Sequence, residues 1–256
     1  MRLYDILTHY AQREAREQRA EVYLDDAISF LGFAYDDDPW LAAAQPRRDF
    51  ARACLDRSQA LGIVRQREHL RYLSHSVLCG YAFEQNPLFR HELARAGWLD
   101  ERGAATLAPD TEAFTPFANR WQGMGRVECD DPAVALDSCL RAIEAGGNLD
   151  MCRVARIVTE AWPDRSSVAS DSAMDGFAEH VMQNVKRQRM PYDVSVIFAV
   201  LSLHLGAYFF HDARYVDLSR AFVNKGEDDA TRSVAAAETI RRIWASEPSP
   251  SEDRHG

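Results

Sequence analysis

Apolar residues recur at three- and four-residue intervals along almost the whole chain, and period-two alternation is nearly absent. That spacing puts the apolar side chains on one face of a helix. Leu3, Ile6, Leu7 and Tyr10 form a first stripe, and Tyr23, Leu24, Ala27, Ile28 and Leu31 resume it. A second helix is predicted over 47–60, with Phe50, Ala53 and Cys54 inward. A third follows Gln66 and carries Leu70, Leu73, Val77 and Leu78. Later helices are predicted over 133–145, 151–161, from 173 onward and 229–245. Val194 to Phe210 is apolar on all sides, so it reads as a buried central helix; at 17 residues with His204, Gly206 and two serines it is short for a bilayer span.

The stretch from 100 to 127 breaks this regularity. Gly103, Pro109, Pro116, Gly123 and Gly125 punctuate it, with Phe114, Phe117 and Trp121 between them, and it reads as an irregular connector over 99–129. The expected architecture is all-α: a bundle of eight to ten helices in helix-turn-helix pairs, one domain over 1–245 with sub-halves 1–98 and 130–245. The polar, proline-containing tail 246–256 is expected to be disordered.

One signature repeats. Gly80-Tyr81-Ala82-Phe83-Glu84-Gln85-Asn86-Pro87 matches Gly32-Phe33-Ala34-Tyr35-Asp36-Asp37-Asp38-Pro39 at a constant offset of 48. A weaker copy stands at 206–213, where Gly206, Phe209 and Asp212 align with Gly80, Phe83 and Asn86, and Ala213 replaces the proline. Asn or Asp caps a helix through its side-chain oxygen, and proline fits the first helical position because the N–H it lacks has no partner there. The repeat therefore predicts a shared helix-turn-helix joint.

Charge narrows the function classes. The chain has 256 residues, 46% of them apolar, and a net charge of −9. An acidic balance argues against a nucleic-acid binder, which needs clustered Lys and Arg, and suits a basic protein partner. The N-terminus lacks the apolar core of a signal peptide, and five cysteines without a C-x-x-C pair fit reduced thiols, so a cytosolic setting is expected.

Candidate chemistry is sparse. His69, His75, His204 and His211 form no H-x-x-x-H or H-E-x-x-H pattern and read as core or surface histidines. Cys79 has His75 one turn back, but its apolar helix points to an inert thiol. No cofactor loop, nucleophile elbow, calcium loop or di-iron pattern is present, so no cofactor and no catalytic residue is assigned. That leaves surfaces: Asp36, Asp37, Asp38, Asp130 and Asp131 at helix entries, Glu84 in the joint, and Trp40 as an aromatic anchor. The same aromatic residues also read as staples that hold the turns onto the core.

The segment 50–98 carries Ala60-Leu61-Gly62-Ile63, Arg71-Tyr72, the apolar helix Leu73 to Cys79, then Gly80, Phe83 and Asn86-Pro87. In this pattern the chain resembles a poorly characterised helical family encoded beside bacterial type VI secretion effectors. It departs where that family has Asp before the proline and Trp after it. The resemblance implies a cytosolic immunity protein that binds and neutralises a cognate toxin, or an effector adaptor. A helical enzyme or ligand-binding protein with a site between the pseudo-repeated helix pairs stands as the alternative.

Overall fold

The structure, a computed structural model, describes residues 21–124, 132–223, 226 and 228–246. The first apolar stripe (Leu3, Ile6, Leu7, Tyr10), Cys129, Asp130, Asp131, Glu227 and the tail from 247 lie outside the described residues. The fold is all-α, and the described residues contain no β-strand. In chain order the helices are α1 (21–34), α2 (Ala44–Ala60), α3 (Gln66–Cys79), α4 (Arg90–Arg95), α5 (Thr111–Met124), α6 (Pro132–Ala145), α7 (Met151–Ala161), α8 (Pro163–Ser167), α9 (Asp171–Gln188), α10 (Tyr192–Leu205), α11 (Val216–Ser219) and α12 (Asp229–Ser246). Among the described residues no helix is long and apolar enough to cross a membrane.

Local chemistry explains most boundaries. Asp150 caps α7 by accepting from the Arg153 N–H at 2.8 Å, and Ser170 caps α9 in the same way. α10 is the predicted central helix: its eleven buried residues run round the whole circumference, and α6, α7, α9 and α12 surround it. One continuous apolar core contains residues from Leu24 of α1 to Ile243 of α12.

Two expectations are corrected. The connector is helical over Thr111–Met124, with Pro116 inside it. Phe114, Phe117, Ala118 and Trp121 form its buried face against α3 and the joint after it. The rings are close: Phe83 stacks on Phe114 at 5.1 Å between centroids, and Phe89 meets Trp121 edge-on at 4.8 Å. This apolar face outweighs the local cost of a helical proline, about 3 kcal/mol.

The second correction concerns the repeat. Gly80 and Gly206 end α3 and α10 in the same conformation, φ 90°, ψ 155° and φ 101°, ψ 147°. Each is followed by two short 3-10 turns, Phe83–Gln85 and Pro87–Phe89 in the first joint, Phe209–His211 and Ala213–Tyr215 in the second. Asn86 and Asp212 cap the second turn of each, accepting from the N–H of Leu88 and of Arg214. Gly32, by contrast, lies inside α1, and the chain turns only after residue 34. The closer sequence match is thus the poorer structural one. Only the aspartate turn survives there, with Asp38 Oδ1 accepting from the Trp40 N–H at 2.8 Å.

The two true joints meet back to back. α2 packs on the second turn of the second joint, and α9 packs on the second turn of the first, so each joint is covered by a helix that precedes the other. The Phe50 ring centroid of α2 lies 4.3 Å from the Arg214 guanidinium, while Gly176 of α9 faces Pro87.

Candidate functional site

The ends of α3 and α10 converge where the joints meet, and a cleft of about 320 Å³ opens beside them. Val77 and Leu78 from α3, Gly80 just after it, and His204 and Leu205 from α10 line one side. The loop after α1 supplies the other side with Tyr35, Asp37, Asp38, Pro39 and Trp40. Tyr215, Arg165 and Ile243 complete the lining. Trp40 packs edge-on against Tyr215, with ring centroids 5.4 Å apart.

Helix C-termini carry exposed carbonyls and a partial negative charge, so cations are favoured there. The chain places two of its own guanidinium groups at these ends. Arg214 donates to the Ser76 and Val77 carbonyls of α3, at 3.2 and 3.5 Å. Arg165 donates to the His204 carbonyl of α10 at 2.8 Å and lies over the Trp121 and Trp162 rings. The Arg214 side chain is 2% exposed and pairs with Asp212, which is 0% exposed, at 2.7 Å. Burial works against the Arg214 charge, but Asp212 outweighs it and holds the guanidinium protonated.

The structure brings only some of the predicted surface residues together. Asp37, Asp38 and Trp40 line the cleft; Asp36 is exposed on the same loop beside them. Asp130 and Asp131 lie outside the described residues. Glu84 is corrected: its side chain is 4% exposed, bonded to Arg57 and accepting from the Tyr72 hydroxyl at 2.8 Å. It fastens the first joint to α2 and α3 and is buried away from the surface where the sequence placed it. Trp40 packs against Tyr215, as the staple reading expects, and stays half-buried at the cleft.

The nucleophilic and basic side chains sit elsewhere in the core. His75 is enclosed by Phe83, Trp98 and Phe114, with Nε2 3.2 Å from Thr115 Oγ1, and burial lowers its pKa to about 4. Burial likewise pushes the Cys79 thiol well above the ordinary range, which removes the thiolate a nucleophile needs. Ser58 and His69 do form a buried pair at 2.7 Å. The Ser58 hydroxyl also lies 2.9 Å from the Leu55 carbonyl, within its own helix. Among the described residues no cluster of three or more His, Cys, Asp or Glu is placed to hold a metal ion.

Arg165, Tyr215 and the Asp212–Arg214 pair were not picked out from the sequence. A signal existed for the last: Asp212-Ala213-Arg214 occupies the place of Asn86-Pro87-Leu88 in the second joint. No protein-family model, curated protein or solved structure matches the chain.

Proposed function

We propose that the protein is a non-enzymatic interaction protein that binds a basic protein partner through the face carrying the 35–40 loop. The role that fits is that of an immunity protein neutralising a cognate toxin, in the type VI secretion setting that the resemblance of residues 50–98 implies. The observation that carries the reading is the grouping of Asp36, Asp37 and Trp40 on one surface loop at the mouth of the cleft. Carboxylates steer a cationic partner, and a half-exposed tryptophan supplies apolar contact area. The net charge of −9 acts in the same direction at longer range. The enclosed states of His75, Cys79 and Ser58 support a role without catalysis.

Co-expression with the product of the neighbouring gene tests this reading. A stable complex, together with protection of cells from that product, is expected. Absence of both with the folded wild-type protein overturns it. A second reading, a small-ligand protein, draws on the position of the cleft at the seam between the two helix pairs. An adaptor differs from an immunity protein in leaving the partner active, which the protection assay reads directly.

A further inference from the structure

The cleft has a charge balance and a shape that select one kind of occupant. Two helix C-termini point into its neighbourhood, each equivalent to roughly half a negative charge. Asp37 and Asp38 add two full negative charges, and Arg165 returns one positive. The buried Arg214 is paired with Asp212. Among the described residues these groups leave the cleft acidic, around a volume of about 320 Å³. That volume lies at the small end of ligand pockets, roughly 300–1,000 Å³, and has room for one side chain rather than a large substrate. Trp40 and Tyr215 supply aromatic surface at its wall, which attracts a planar cation. The fold itself answers the same environment twice with guanidinium, once with Arg214 at the end of α3 and once with Arg165 at the end of α10.

We propose that the cleft between Trp40, Asp37, Asp38 and the ends of α3 and α10 is a receptor for a single arginine side chain presented by the basic partner. The guanidinium lies against Trp40 and donates to the carboxylates of the loop. Arginine is favoured over lysine because its planar fork can stack on an aromatic ring and bond a carboxylate at once. This assignment rests on the basic-partner reading above and names the chemistry by which that partner is held.

The test uses the full-length protein and a capped arginine amide, N-acetyl-arginine methylamide, with the citrulline amide as its neutral isostere. Binding is read from the indole N–H resonance of Trp40, assigned by its loss in Trp40→Phe. A saturable shift in the millimolar range is expected with arginine, at least about tenfold weaker with citrulline. Asp37→Asn is expected to weaken arginine binding about fivefold. Asp37 is exposed, so the unfolding midpoint should not move. No saturable shift, equal binding of citrulline, or unchanged affinity in Asp37→Asn overturns the assignment. The two readings fail separately. If wild type and Asp37→Asn capture the partner equally and the probe does not bind, the arginine receptor falls and the interaction role stands. If the probe binds as described but no basic partner is captured, the interaction role falls and the cleft remains a small-cation site.

Discussion

Gly80 and Gly206 hold each other in place. A Cβ on Gly80 would stand 2.4 Å from the Leu205 carbonyl oxygen and 2.8 Å from the Gly206 Cα, and a Cβ on Gly206 would stand 2.9 Å from the Gly80 Cα. Both have positive φ with ψ near 150°, a region that only glycine occupies without strain. The close approach brings the ends of α3 and α10 together and so creates the cleft.

Alanine at either position should therefore cost much more than alanine at an ordinary glycine turn. Gly80→Ala or Gly206→Ala is expected to destabilise by roughly 2–4 kcal/mol, from backbone strain plus a clash with backbone atoms. Gly146 has φ 57° and nothing within 4 Å of the added carbon, so Gly146→Ala should cost about 1–2 kcal/mol. Urea unfolding of the three variants separates the two cases. Equal losses would mean that the joints do not touch as described.

The Asp212–Arg214 pair gives a sharper test of the joint. Asp212→Asn keeps the cap acceptor but leaves the buried guanidinium without its carboxylate, at a cost of about 3–5 kcal/mol. The double variant Asp212→Asn/Arg214→Leu writes Asn86 and Leu88 of the first joint into the second. It removes both charges, so it should recover at least half of the stability lost in the single variant. Additive losses in a double-mutant cycle would refute the coupling.

Acid should weaken the fold through His75. Its folded pKa of about 4 lies below the ordinary histidine value of 6.5, because burial disfavours the charged ring. The unfolded chain therefore binds the extra proton between these two values. The stabilisation from a neutral His75 is complete above about pH 6.5 and is lost as pH falls towards 4, by roughly 3 kcal/mol over the whole window. His69, His180 and His211 are shifted the same way by burial. His75→Phe suits the Phe83, Trp98 and Phe114 box and should flatten the pH dependence of unfolding between 6.5 and 4. An unchanged slope would remove His75 as a contributor.

The helical period and the caps were legible along the chain because they are local. Leu70, Leu73 and Val77 predict α3 from spacing alone, and Asp150 or Asn148 marks the start of α7 by residue type, with Asp150 the one that caps it. α5 was hidden behind Pro116 and its glycines, although Phe114, Phe117 and Trp121 already had helical spacing. The repeat misled where a residue's conformation depends on a distant partner. Gly32 resembles Gly80 in its neighbours, yet it has no glycine across from it. It lies instead against the Arg47 guanidinium, which serves the Leu41 and Ala42 carbonyls. Glu84 read as a surface acid because its partner Arg57 is 27 residues away. Asp37, Asp38 and Trp40 were found as residues, but the cleft they line requires His204, Leu205 and Tyr215 from the far half of the chain.

Hydrogen–deuterium exchange on the complex with the cognate partner tests the interaction face most directly. Slowed exchange is expected over residues 35–41 and at the ends of α3 and α10, with α6 and α7 unchanged. Protection on α6 and α7, with the 35–41 loop exchanging as in the free protein, would contradict the acidic cleft as the binding face.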